Sequence, residues 1–430
     1  MEEGVYRLIS FSGFLALGFL AWVTGRRSRV SWKTVIGSGA LAWALGGLTF
    51  GLPWSRNALN GINDILIALL NVYQKGNIFL FGPLALGPGE KLADGTASIG
   101  FVLAMQVLPA VIFFSALVSA LYYLKIMPVI VRGFAWIFYR VMGISGAEAL
   151  SAAANIFVGI ESSLTVRPYL AGMTRSELLT LLTCMMSTVA STVMAIYVIA
   201  LKGVFPEIAG HLLSASIISI PCAILVSKLA LPEDQQPVTL GDLPKHDPPT
   251  ESGEGDASAN LIVTLINGGM QGVKMAVGIA VMLIVFLGLE AMLDLVLGLW
   301  PSVNGSPVSL SRLLGWGAWP FTVLLGLRPE EWQIASQIIG ARFVETEVTS
   351  YFSLAAVQAG QVPALTGRSL TVLTYVLCGF VHIASMGIFV GGLTAVVPSR
   401  AGDISRLGIK ALWTAFLATL LTGCLAGVMA

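Results

Sequence analysis

The sequence predicts an all-α polytopic membrane protein, and three observations predict it. The first is composition: of 430 residues, 56% are hydrophobic and 11% are charged. Soluble domains carry roughly 25% charged residues, so most of this surface does not face water. The second is that apolar runs such as AVGIAVMLIVFLGLEAML are long and unbroken. Such runs suit spanning helices of about 20 residues, whereas a membrane barrel needs alternating segments of about ten. The third is that one pattern of interrupted apolar segments occurs twice. The formal net charge of +1 argues against a nucleic-acid partner. Cys184, Cys222, Cys378 and Cys424 fall in apolar runs without paired spacing and read as small core residues.

Eight spans are expected, at 6–24, 34–52, 99–124, 175–201, 208–231, 262–298, 366–397 and 404–428. Glu2 and Glu3 precede the first, and GRRSRVSWK follows it. That is the reverse of a signal peptide's charge order. The expected topology therefore puts the N-terminus outside, with Arg26, Arg27, Arg29 and Lys33 in the cytoplasm. Residues 1–125 make an N-terminal group of helices with an interfacial segment, because NDILIALLNVYQ has amphipathic spacing. Segment 126–144 is also interfacial in character, with Arg132 and Arg140 able to reach headgroups. Residues 232–260 hold five prolines and seven acids and read as an acidic flexible loop. A long helix is expected over 261–300.

The repeat pairs 126–231 with 301–430. Each half has an aromatic amphipathic run, a small-residue helix, a break bearing Glu, a short second arm, and a span interrupted by Ser, Thr and small residues. The interrupted regions are 145–170 with 175–201, and 330–358 with 366–397, before a last helix at 404–428. By span count the halves enter the membrane from opposite sides, which is the layout of secondary transporters.

A helix that stops inside hydrocarbon leaves N–H and C=O groups unpaired, each costing several kcal/mol. Freed carbonyls suit a small hard cation, and freed N–H groups suit an anion or an acceptor atom. The breaks are NIFVGIESS, with Asn155 and Glu161; STVASTV, with Ser187, Thr188, Ser191 and Thr192; FVETEVTSY, with Glu345 and Glu347; and GFVHIASMG, with His382 and Ser385. Glu161 and Glu347 stand at matching places, and an intramembrane carboxylate marks a functional site by default. Glu345 and Glu347 are two apart, so a helix sends them to different faces. His246 lies in the acidic loop, and three histidines in all cannot build a His-rich metal centre. No nucleophile elbow occurs, so an enzyme is not expected.

These motifs resemble the concentrative nucleoside transporter family from about residue 35 onward. NIFVGIESSLTVRPYL is similar to that family's N-x-F-x-G-Q-T-E-A-P-L-x-x-R-P-Y, and ARFVETEVTSYFSL to its K-x-x-x-N-E-F-V-A-Y-x-x-L. GFVHIASMGIFVGGLTAVVPSR is similar to G-F-A-N-F-S-S-I-G-I-x-I-G-G-L-x-x-x-x-P-x-R. The resemblance implies eight core spans with two re-entrant hairpins, in a homotrimer of the cell membrane whose transport domain moves against a scaffold. It implies Na⁺- or H⁺-driven uptake of nucleosides. By motif, Asn155, Val158, Thr188 and Val189 would hold Na⁺, while Glu161, Ser162, Val193, Glu347, Phe380, His382 and Ser385 would face the passenger. Departures concentrate on the passenger side. Ile160 replaces the Gln of G-Q-T-E, His382 stands where the family motif has Asn, and Glu161 takes either the Glu or the Thr position. H⁺ coupling, or another polar heterocycle as passenger, is the alternative expectation.

Overall fold

In the computed structural model the chain is helical, and no strand occurs among the described residues. The structure describes residues 2–27, 30–51, 53–87, 89–92, 94–242, 260–302, 307–361 and 365–430; at 2, 53–60, 62, 160, 161, 164 and 361 it describes the backbone alone. Three helices open the chain, α1 (Glu2–Val23), α2 (Trp32–Gly51) and α3 (Pro53–Phe81). A looped stretch leads to α4 (Leu103–Gln106), α5 (Leu108–Tyr123) and α6 (Ile126–Met142). The first interrupted unit is α7 (Gly146–Ala154), a tight helical turn Ile160–Val166, α8 (Arg167–Leu170), α9 (Arg175–Ser187), α10 (Ser191–Leu201) and α11 (Ile208–Ala230). After the long α12 (Leu261–Leu297) come α13 (Leu310–Leu324), α14 (Trp332–Ala341) and α15 (Glu347–Ala356), then a second unit of α16 (Gly367–Leu377) and α17 (Ile383–Val396) followed by α18 (Ala401–Met429).

Eight stretches among the described residues are long and apolar enough to cross a bilayer, but they are not the eight expected. Asn63–Ala85 joins them, where an interfacial segment was expected. The run stays helical because no Pro falls between Asn63 and Pro83. The expected span 366–397 leaves the set. It divides into helices of 11 and 14 residues because residues 378–382 abandon the helical path. The span expected from residue 99 starts at Leu103 and is interrupted at Val107, just ahead of Pro109 in the first turn of α5.

Residues 243–259 of the acidic segment, with His246, lie outside the described residues, which hold 232–242 and Asn260. That part is held on the protein. Thr239 accepts from the backbone N–H groups of Gly146, 3.1 Å, and Ala147, 3.0 Å. The first N–H groups of a helix have no partner within it, and this loop supplies them.

Burial is deepest where α9, α11 and α18 pack together and grips the interruptions from behind. The two broken pairs, α9–α10 and α16–α17, meet at their breaks. A Cβ on Gly379 would stand 2.9 Å from the carbonyl carbon of Ser187, closer than real Cβ atoms come, so only glycine admits this approach.

At the other end of each unit a buried glutamate ties the short helix to the broken one. Ser145 and Glu148 form a capping box on α7, and Thr174 and Glu177 form one on α9. Ser145 Oγ donates to Glu177 Oε1 at 2.5 Å, joining the two. Lys228 Nζ lies 2.5 Å from Glu148 Oε1 and 3.4 Å from Glu233 Oε2, and donates to Ser176 Oγ at 3.0 Å. In the second unit Glu331 accepts from the backbone N–H of Thr366 at 2.7 Å and from the hydroxyl of Ser369. Removing one partner of a buried ion pair strands the other in low dielectric. Lys228→Ala should therefore destabilise the protein by about 3 kcal/mol or more, read as a lower thermal midpoint in detergent. Adding Glu148→Gln should recover part of that loss; no change in either variant refutes the role of the ammonium.

Candidate functional site

The first half of the site is the tip of α7 laid against the gap between α9 and α10. Asn155 caps the C-terminus of α7 and is fully buried. Its Oδ1 accepts from Ser162 Oγ at 2.8 Å. Its backbone carbonyl accepts from Thr188 Oγ1 at 3.1 Å, a hydroxyl also 3.0 Å from the Cys184 carbonyl. One hydroxyl carries one proton, so Thr188 serves these two acceptors in alternation. Ser191 gives both its backbone N–H, 3.0 Å, and its hydroxyl, 2.6 Å, to the carbonyl of Phe157. Thr188 and Ser191 of STVASTV thus stitch one broken element to the other. Val158, Val189 and Val193 are buried around this seam.

Two serines on α11 serve the carbonyls freed at the end of α9. Ser219 Oγ donates to the Ser187 carbonyl at 2.5 Å, and Ser216 Oγ reaches the Val189 carbonyl at 3.5 Å. Sequence reading missed both, although two serines at i and i+3 in an apolar run put hydroxyls on one helix face.

The second half replaces neutral partners with a charge. Arg342 is fully buried and donates to the carbonyls of Val376 and Gly379, the latter at 3.1 Å, and to Thr419 Oγ1 at 3.3 Å. It caps the C-terminus of α16, where a cation is favoured. The sequence pass did not single it out. An Arg inside an apolar segment was the available signal.

Glu347 is the first residue of α15 and is buried. Its Oε1 accepts from the hydroxyl of Tyr197 at 2.8 Å, and its Oε2 lies 2.7 Å from His382 Nε2. Tyr197, also missed, sits on α10 with its ring 4.5 Å from that of Tyr351. A tyrosine in a buried span needs a partner for its hydroxyl, and that need was the clue in AIYVIA. His382 caps α17, with Nδ1 accepting from the Ser385 N–H at 3.2 Å and Nε2 2.6 Å from Ser385 Oγ. Phe380 is half-buried, its ring 5.9 Å from that of Phe389.

The structure therefore collects Asn155, Ser162, Thr188 and Val189 in one group and Glu347, His382 and Ser385 in another, with Tyr197 bridging the halves. Glu345 turns the other way and lines a separate cavity of 360 Å³ with Ser309, Ser311 and Gln337. The side chain of Glu161 lies outside the described residues, and its backbone runs in the turn Ile160–Val166. The donors around Asn155 and Thr188 are uncharged oxygens, a set that suits a hard monovalent cation. Asn155 Nδ2 is buried with no hydrogen-bond partner among the described residues, and an amide NH₂ has two N–H groups to give.

Apolar spans, paired broken helices and polar groups gathered at the breaks define a multi-pass membrane transporter. Family models for Na⁺-dependent nucleoside transporters match residues 12–84 at their N-terminal part and 211–427 at their C-terminal part. A nucleoside-recognition gate model matches residues 104–203. The chain belongs to the concentrative nucleoside transporter family. Nucleoside permease NupC of Helicobacter pylori is 32% identical over 428 residues, covering 98% of this chain and 97% of that protein. Sodium/nucleoside cotransporter 1 of Sus scrofa is 30% identical over 437 residues, covering 98% of this chain and 64% of that one. Among solved structures, CNTnw in an inward-facing, substrate-bound state superposes with a TM-score of 0.86 at 30% identity, covering 99% of this chain and 98% of that chain.

Arg342→Leu leaves the carbonyls at the end of α16 without their donor. Hydrogen bonds to a charged group contribute about 1.5–3 kcal/mol each, so the variant should unfold at lower temperature by at least that margin. Arg342→Lys, which keeps the charge, should recover part of it. Equal stability of all three proteins would refute the cap.

Proposed function

We propose that this chain is a cation-coupled symporter that imports nucleosides, driven by Na⁺. The observation that carries the reading is the meeting of two broken helices, with uncharged oxygens on one side of the seam and a buried carboxylate on the other. The oxygens of Asn155, Val158, Thr188 and Val189 hold the ion. Glu347, His382 and Ser385 face the passenger together with Glu161, Ser162, Val193 and Phe380. The open Nδ2 of Asn155 offers donors to a passenger acceptor, and a carboxylate suits a passenger rich in hydroxyl donors. Two relatives support this, one a nucleoside permease and the other a sodium/nucleoside cotransporter.

In this reading α7–α8 and α14–α15 are re-entrant hairpins of an inverted repeat. The transport part slides as an elevator against a scaffold that includes α12, in a homotrimer of the cell membrane with its N-terminus outside. The long exposed apolar face of α12 fits a scaffold helix in lipid or against a second copy. A second reading, H⁺ coupling or another polar heterocycle, is favoured by the contact of His382 with Glu347.

Uptake of labelled uridine, adenosine and nucleobases into proteoliposomes tests both readings, with Na⁺ and pH gradients imposed separately. Na⁺-driven accumulation of at least one nucleoside is expected. Accumulation driven by pH alone overturns the ion assignment, and no uptake of or competition by any nucleoside overturns the passenger. Glu347→Gln should assemble normally and lose uptake; unchanged uptake removes it from the site.

A further inference from the structure

We infer that Tyr197 is a positioning residue of the passenger site: its hydroxyl commits one oxygen of Glu347 to the protein and so presents the other to the passenger. The inference rests on the passenger role proposed for Glu347 and adds what aims that carboxylate. Tyr197 stands on α10 and is fully buried. Its hydroxyl donates to Glu347 Oε1 at 2.8 Å. A phenol has one proton to give, and this contact takes it. The second oxygen is treated differently. Glu347 Oε2 is buried and has no hydrogen-bond partner among the described residues; His382 Nε2 comes within 2.7 Å of it without hydrogen-bond alignment. A buried acceptor without a partner costs free energy, and a molecule with a hydrogen to give relieves that cost.

The phenol is itself aimed from several elements. At its start α10 is fixed to the seam, where Ser191 gives its N–H and its hydroxyl to the Phe157 carbonyl. Tyr197 follows about 9 Å further along the helix axis. Its ring lies 4.5 Å from that of Tyr351, with 32° between the planes. Tyr351 in turn donates to the Thr374 carbonyl on α16 at 2.9 Å. Glu347 has no comparable support of its own: it is the first residue of α15, and the N-cap Thr346 makes no side-chain hydrogen bond there. The first half of the site repeats the arrangement. Asn155 also ends in a planar fork, whose Oδ1 accepts from Ser162 Oγ at 2.8 Å while Nδ2 has no hydrogen-bond partner among the described residues. Each half thus ties one arm of a fork and leaves the other, a donor in Asn155 and an acceptor in Glu347. Phenylalanine at 197 would fill the same space and keep the stack on Tyr351, so the distinct contribution of the hydroxyl is this tie.

Two measurements test this. Initial rates of nucleoside uptake into proteoliposomes at saturating Na⁺ compare the parent with Tyr197→Phe. KM for the nucleoside should rise about tenfold, well beyond any fall in Vmax, because the hydrogen bond that aims the carboxylate is lost. A KM equal to the parent's overturns the inference, even with a reduced Vmax, which is what a merely structural hydroxyl gives. The second measurement does not depend on transport. Thermal midpoints in detergent of Tyr197→Phe, Glu347→Ala and the double variant form a cycle. Loss of the hydroxyl should lower the midpoint of the parent and lower that of Glu347→Ala by less. An equal drop in both backgrounds overturns the tie, and a smaller drop in the second upholds it even if no nucleoside is carried and the proposed function fails.

Discussion

The structure depends on one constraint: backbone groups released where a helix breaks must find partners away from water. Two such breaks are set face to face, and the contact of Gly379 with Ser187 is where they touch. Almost every buried polar contact near the centre answers to this. Ser219 and Ser216 serve the carbonyls at the end of α9, Arg342 serves those at the end of α16, and His382 serves the start of α17. The helices behind, α11 and α18, are buried for the same reason, since a break survives only inside a protein wall.

The two halves solve the same problem with different chemistry. The first uses hydroxyls and an amide, and its described groups bear no net charge. The second uses a guanidinium, a carboxylate and an imidazole. A neutral oxygen set favours a bare cation, whereas a buried carboxylate favours a molecule with hydrogens to give. The proposed separation of ion and passenger roles therefore follows from which partners each break was given. Tyr197 crosses between them, so that α10 holds the carboxylate at the start of α15.

Much of this was legible in the sequence because hydropathy and interruption are local properties. The runs that form α1, α2, α9 to α12 and α18 announce themselves, as do the breaks at Asn155, Thr188, Glu347 and His382. Hydropathy counted 366–397 as one span, although the interruption read at GFVHIASMG divides it into two helices. It also undervalued Asn63–Ala85, whose polar residues suggested an interface. What sequence could not supply were pairings across large separations. Tyr197 and Glu347 are 150 residues apart, and Arg342 reaches a carbonyl 37 residues on. The opposite aims of Glu345 and Glu347 were expected from helix geometry; the cavity that receives Glu345 was not.

The hydroxyl of Thr188 fastens the carbonyl of Asn155, and that carbonyl is among the oxygens a cation would seek. On the proposed reading, a cation arriving there finds a seam already closed by the protein's own proton, so its entry is a swap of partners rather than the filling of a hole. Each swap loosens or replaces a tie between the tip of α7 and the broken helix. Occupancy and the freedom of the tip then become one thermodynamic quantity, and whatever lets the tip move must also set how tightly the cation is held.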